Sequence, residues 1–600
     1  MATSNRKRRS SARPHPTLRA AVLAAGVATA AIAALWLPMK LLAAEFWVGS
    51  SGPCTHATVG AALTAALANG PTADTIRLTG GSAHYPLTAP IVVSDDDITI
   101  VGGYGVCGNL TPSVNRAVLD VTGAADAFRV FGATPSTPGH LKLDTVTVSM
   151  DPGSGRALKI EANGSVEVYS AGIEGGHATD GGNIHLSGAG SLLEVRVNSN
   201  VVWGEADPGD GGGIYCEAGG QVVLESGSQI GGNLAQQSGG GIYLDDCDLT
   251  FTTWIEANPV PHGYSDIYEN QATVGNGGGI AAVNGATVHA VGSHPDDPAR
   301  ISSNYANGTG GGIYAGGLGT EVFLTNGDLW DNRATGAGGG VSVASGALFE
   351  MDQDPIHCRR GRDCSRIRTN FTYSYGGGLV VGAGSTARVL RTAVTENYTK
   401  NSSGGAALAA IGAGANLLVE GAVIYNNDPN SFVGVESSRI ASGSSASATV
   451  AFTTIVEETT SAATAVFENA NAVAMSVQSS IVQASHTFTA VPPATQVRCA
   501  IVREAASLPA GSLMISTIVD PALIFRLSQP DDYALFQFSE AEEFCNTSTY
   551  TPTRPDLDGQ TRGYDDPDFA NILGPYDIGA DEWRPEVFGD GFESGDSSGW

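Results

Sequence analysis

The chain has 600 residues, 79 of them glycine, with 31 Lys and Arg against 60 Asp and Glu. Glycine without a triplet period or a proline excess excludes collagen, and the many short Val/Ile runs exclude a disordered chain. A formal net charge of −29 excludes a surface that holds nucleic acid or anionic membranes through its overall field.

Residues 1–44 read as an export signal. Arg6, Lys7, Arg8 and Arg9 are followed by an uncharged stretch from Ala20 to Met39 and by Ala43-Ala44 before Glu45. The uncharged stretch also has the ~20-residue length of a membrane span, so an uncleaved anchor is the rival reading. The remainder is expected to be exported in both cases, with no other membrane-spanning segment. It carries 24 basic and 60 acidic residues, a net charge of about −36. Eight cysteines fit an oxidising compartment, and proximity along the chain pairs them as Cys54–Cys107, Cys216–Cys247, Cys358–Cys364 and Cys499–Cys545.

Residues 45–135 read as an N-terminal cap and first coils. Glu45 to Ser50 is an apolar strand. Thr58 to Asn69 is a helix with Val59, Leu63 and Leu67 four apart and Gly70 as its stop. Stacked strands leave unpaired backbone groups at their end, and a helix there covers them. The order of strand, Cys54-Thr55, Ala-rich helix, Asp74 to Leu78 (DTIRL), Val101 to Tyr104 (VGGY) and Cys107 resembles the opening of exported right-handed parallel β-helix proteins. That resemblance implies an all-β fold: a single-stranded, pectin-lyase-like parallel β-helix with a helical N-cap.

Residues 136–545 read as the body of that helix, with strands in threes from about Leu141. An array from 197 to 406 repeats an aliphatic residue, two variable residues and an Asn before a glycine triplet and another aliphatic residue. Its copies begin at Val197-x-x-Asn200, Ile230-x-x-Asn233, Ile267-x-x-Asn270, Ile301-x-x-Asn304, Leu329-x-x-Asn332 and Ile367-x-x-Asn370. A degenerate copy runs from Val394-x-x-Asn397 to Gly404-Gly405-Ala406. Stacking coils about 4.8 Å apart places equivalent residues in register. The aliphatic residues then form interior ladders. The Asn amide, with two donors and two acceptor lone pairs, bonds the turn backbone and its own image in the next coil. The glycines supply positive φ at a corner. These repeats read as scaffold. They resemble those of polymorphic outer membrane proteins, which implies a surface protein of a Gram-negative-type bacterium, secreted or outer-surface associated. No series of roughly ten-residue alternating strands, as a terminal membrane barrel requires, closes the chain.

Residues 546–587 contain Asp558-Gly559-Gln560-x-Arg562-Gly563 and Asp577 to Glu582. They resemble the closing segment of bacterial β-helix proteins with a variable choice-of-anchor C-terminus and read as a C-terminal cap. Residues 588–600 form an acidic, aromatic tail.

The sequence draws attention to 352–368. In a chain poor in base it gathers Arg359, Arg360, Arg362, Arg366 and Arg368 with Asp352, Asp354 and His357. Arginines suit carboxylate or phosphate recognition, so Arg359, Arg360, Arg362, Asp352, Asp354 and His357 are the candidate ligand-binding set. Asp245, Asp246 and Asp248 form a carboxylate cluster whose oxygen ligands would suit calcium. No other cofactor is expected, and no catalytic residue is assigned. The resulting expectation is an exported, non-enzymatic surface or secreted scaffold for adhesion or interaction with an extracellular glycan or surface protein. The alternative is a polysaccharide lyase or hydrolase working from the Asp352–Arg368 loop.

Overall fold

The computed structural model describes residues 43–581, apart from 254–264, 355–363, 429–437, 458–464, 489–494, 526–534, 546–549, 565–574 and several gaps of one to three residues. The expected export signal therefore lies outside the described residues, apart from its last two. So does the acidic tail at 588–600.

Every strand pair between named strands is parallel and joins one coil to the next, which makes the fold an all-β parallel β-helix. One coil runs Ile242–Asp245, Asp248–Thr252, Asp266–Tyr268 and Gln271–Ala272, and the next starts at Ile280–Val283. The four positions belong to a thirteen-stranded sheet, two ribbons of a thirty-stranded sheet, and an eight-stranded corner ribbon. The two ribbons merge because Ala474–Ala484 pairs with Ser447–Ala451 and with Thr454–Glu457. Side chains alternate in and out along each short strand. Ile214, Ile242, Ile280, Ile313, Val341 and Leu379 consequently stack in one fully buried ladder, and Val201, Ile230, Ile267, Ile301 and Leu329 in another. At the start, Thr58 Oγ1 accepts from Ala61 N at 3.2 Å and caps the helix Val59–Asn69. Val59, Ala62, Leu63 and Ala66 close the same core that Ile76 and Leu78 belong to.

The asparagine ladder is as expected, and each amide in its middle is fully used. Asn304 Nδ2 donates to Ile267 O at 2.8 Å and to Asn332 Oδ1 at 3.0 Å. Its Oδ1 accepts from Asn270 N and Asn270 Nδ2, both at 3.0 Å. The same pattern carries on through Asn370, Asn397 and Asn427. The copy beginning at Ile424 is thus a further member that the sequence reading passed over.

Two placements differ from the sequence reading. Val201, not Val197, pairs with Ile230, so Asn200 faces Gln229 and the ladder place in that coil is Gly204. Asn183 supplies the missing amide from the third-glycine place, accepting from Gly176 N at 2.8 Å and reaching Asn233 Oδ1 at 3.3 Å. A Cβ on Gly204 would lie 2.6 Å from Asn183 Nδ2. At the other end the triplet is Gly405-Ala406-Ala407, since Leu379 pairs with Leu408.

The three glycines of a triplet do different jobs. The first holds positive φ, 66° at Gly239 and 68° at Gly277. The second has no room for a side chain: a Cβ on Gly240 would meet Gly278 O at 2.4 Å and the Gln271 backbone at 2.5 Å. The third lies against the ladder amide, 3.0 Å from the Asn270 side chain at Gly241. Gly240→Ala is therefore expected to cost about 3 kcal/mol by urea unfolding, because the neighbouring coils cannot part locally. An unchanged midpoint would refute the packing argument.

Three of the four expected disulfides are present: Cys54–Cys107, Cys216–Cys247 and Cys499–Cys545. Cys364 is also disulfide-bonded; its expected partner, Cys358, lies outside the described residues.

Candidate functional site

The outward residues of the second ribbon stand in two lines on either side of the buried Ile267, Ile301, Leu329 and Ile367. The first line is Asp266, Arg300, Asp328 and Arg366, alternating in charge from coil to coil. The second is Tyr268, Ser302, Trp330 and Arg368. The Asp328 side chain has 0% exposure and sits under three arginines. Arg368 grips it with Nε at 2.9 Å and Nη2 at 2.8 Å, Arg366 Nη2 is 3.4 Å away and Arg300 Nε 3.6 Å. The guanidinium groups of Arg300 and Arg368 lie 5.7 and 4.8 Å from the centre of the Trp330 ring, close enough for cation–π attraction. Asp266 accepts from Ser302 Oγ at 3.0 Å, yet burial, the largest effect, pushes its carboxyl up to about 7. The result is a guanidinium–indole surface around a fully buried carboxylate that Arg368 and Arg366 hydrogen-bond.

Of the candidate set, His357, Arg359, Arg360 and Arg362 lie outside the described residues. Asp352 does not pair with Arg366 or Arg368. Its Oδ1 receives Arg391 Nε at 2.8 Å and its Oδ2 receives Arg554 Nε at 3.0 Å. Asp354 N donates to Asn326 Oδ1 at 2.9 Å. Arg300, Asp328 and Trp330 were missed by reading the sequence, although each adjoins a recognised interior aliphatic residue.

Arg554 belongs to a C-terminal run that returns along the side of the helix. Glu420 anchors it, accepting from Tyr550 Oη at 2.9 Å, Thr553 N at 2.6 Å, Thr553 Oγ1 at 2.7 Å and Arg554 N at 2.9 Å. Gln353 Nε2 donates to Leu557 O, Ala580 N to Thr454 Oγ1 and Gly579 N to Ser479 O. The run therefore covers coils from Asp352 to Ser479, and the outward Phe452 lies under the Arg562 guanidinium at 4.5 Å. Its far end joins a second apolar core of Ile481, Cys499, Ile501, Phe525, Cys545 and Ile578.

Asp245, Asp246 and Asp248 are not drawn together. Asp245 Oδ1 accepts from Asn284 Nδ2 at 2.9 Å and Asp246 occupies a left-handed turn. Asp248 borders a shallow depression of about 250 Å³ on the first ribbon, with Gln221, Thr287 and His289.

The fold and its amide ladder define a parallel β-helix protein. No protein-family model matches the chain, and no curated protein matches it. Among the described residues no helix is long and apolar enough to cross a membrane.

Proposed function

We propose that the chain is an exported, non-enzymatic β-helix scaffold that presents its outer faces to an extracellular glycan or a surface protein. The observation that carries this reading is that two carboxylates on the described outer faces, Asp328 and Asp352, are held by arginines. Asp328 is consumed by Arg368, Arg366 and Arg300, and Asp352 by Arg391 and Arg554. A lyase or hydrolase needs an acid and a base free to exchange protons with substrate. Groups tied into fixed pairs suit recognition by shape and charge. The resemblance of the repeats to polymorphic outer membrane proteins, and of the end of the chain to choice-of-anchor proteins, supports a surface location, as does the signal-like N-terminus. The test is a glycan array run beside a degradation screen on acidic and neutral polysaccharides. Binding without new reducing ends or unsaturated products is expected; turnover of any polysaccharide would reverse the reading in favour of an enzyme.

A further inference from the structure

The corner ribbon holds a group of side chains that the display role does not use. His177, Glu205 and Asp207 each turn one ligand atom toward the others, an imidazole nitrogen and two carboxylate oxygens all within 4.8 Å. The backbone fixes the three positions. His177 pairs in register with Glu205 of the next coil. Glu205 N donates to Gly176 O at 2.8 Å and Asp207 N to Ala178 O at 2.9 Å. His177 N is itself held by Ser154 O at 3.1 Å. Ala206, between the two acids, points inward and is buried, so strand alternation puts Glu205 and Asp207 on one outer face.

The rest of the ribbon serves as an internal comparison. The two outward places that Glu205 and Asp207 occupy are filled in the next three coils by Leu234 and Gln236, Gln271 and Thr273, and Tyr305 and Asn307. None of these is a histidine or a carboxylate. The donor set is confined to the one pair of coils where the ladder Asn is replaced by Gly176 and Gly204, so it is not a repeating property of the surface.

The geometry points to a binding site for one borderline divalent metal ion, of the zinc or cobalt class, held by His177, Glu205 and Asp207. Such an ion sits about 2.0–2.2 Å from nitrogen and oxygen ligands, which places neighbouring ligand atoms about 3–4 Å apart. Glu205 and Asp207 are exposed and free to rotate by that much, while their Cα atoms stay fixed. Two carboxylates balance the charge of a dication. The imidazole selects against calcium and magnesium, which take oxygen ligands. Three protein ligands leave coordination positions open for water or for a donor group from a bound partner.

The experiment is a titration of the full chain, purified without a histidine tag, with zinc, cobalt and calcium chlorides, followed by calorimetry and by the visible spectrum of the cobalt form. One zinc per chain is expected, displacing cobalt from the same site and not itself displaced by calcium. Binding is expected to weaken roughly a hundredfold in His177→Ala and in the near-isosteric Asp207→Asn. His289→Ala, on another face, should leave it unchanged. Because the three ligands lie on the outer face of the ribbon, unaltered circular dichroism of the variants will separate loss of the site from loss of the fold. Absence of stoichiometric zinc binding, or wild-type affinity in His177→Ala, would overturn the assignment, as would equal competition by calcium.

Discussion

Replacing Asn304 by alanine is expected to lower the stability of the β-helix by about 4 kcal/mol, measured by urea unfolding. The side chain is 1% exposed and makes four hydrogen bonds. Alanine removes all four. Asn332 Oδ1 keeps a partner, because Asn304 N still donates to it at 3.1 Å. The backbone N–H of Asn270 and one of its Nδ2 hydrogens lose their acceptor inside a wall that water does not reach, while the Ile267 carbonyl keeps its place in the strand ladder. Each orphaned donor costs about 1–3 kcal/mol, which with the lost bonds gives a sum of about 4 kcal/mol. Asn304→Asp is expected to do no better. It retains the acceptor, but loses both donors and adds a charge without a cation. Asn307→Ala, three residues away and exposed, is the control and is expected to change stability by no more than about 0.5 kcal/mol. A stacked-coil protein also reports such damage locally, so hydrogen exchange at the Asn270 amide should accelerate in Asn304→Ala and not in Asn307→Ala. Equal exchange in the two variants would show that the ladder does not hold the corner.

The interior of the fold was legible because the same residue types perform the same task in every coil. An aliphatic residue, an Asn and a glycine triplet recur wherever the backbone turns the same corner. The reading slipped at the first copy, where Val197-x-x-Asn200 imitates the pattern but Val201 occupies the interior place. Gly204 gives no signal, and the amide that serves its coil arrives from Asn183, outside the repeat frame. That four-residue slip also concealed the metal-ligand group. His177 and Glu205 each stand four residues beyond an interior aliphatic residue, Ile173 and Val201, and only the correct register makes the correspondence visible. The Asp266–Arg366 line was legible in principle, since its members directly precede known interior residues. The C-terminal run was not. Its anchors join Arg554 to Asp352 and Tyr550 to Glu420 across more than a hundred residues, and no local pattern encodes contacts of that span.

Arg439→Ala is expected to cost about 3–5 kcal/mol above pH 7, where it leaves a buried carboxylate without its cation. Arg439 stands in the third-glycine place of its coil and reaches inward, as Asn183 does at the opposite end of the ladder. Its Nε lies 3.2 Å from Glu457 Oε2 and its Nη1 3.2 Å from Asp428 Oδ2, with all three side chains no more than 4% exposed. Glu457 terminates the ladder: its Oε1 accepts from Asn427 N at 3.0 Å and Asn427 Nδ2 at 2.8 Å, as a further Asn would. Arg439→Met preserves much of the volume and should cost nearly as much as Arg439→Ala if charge governs the loss. The same site gives the molecule a pH dependence. Burial, the dominant cause, pushes the Glu457 carboxyl up to about 7 from an ordinary value of 4.5, against the pull of Arg439 and Asn427. The folded state then holds this proton more tightly than the unfolded chain, so stability falls as pH rises from about 4.5 to about 7. The contribution approaches 3 kcal/mol at about 1.4 kcal/mol per pH unit. Glu457→Gln keeps the acceptor that ends the ladder and cannot ionise. Its stability relative to wild type should therefore rise between pH 5 and pH 8, and taking the difference cancels the like-signed contribution of Asp266. A gap between the two proteins that stays constant across that range would mean that Glu457 is ionised throughout, with Arg439 and the last ladder amide outweighing its burial.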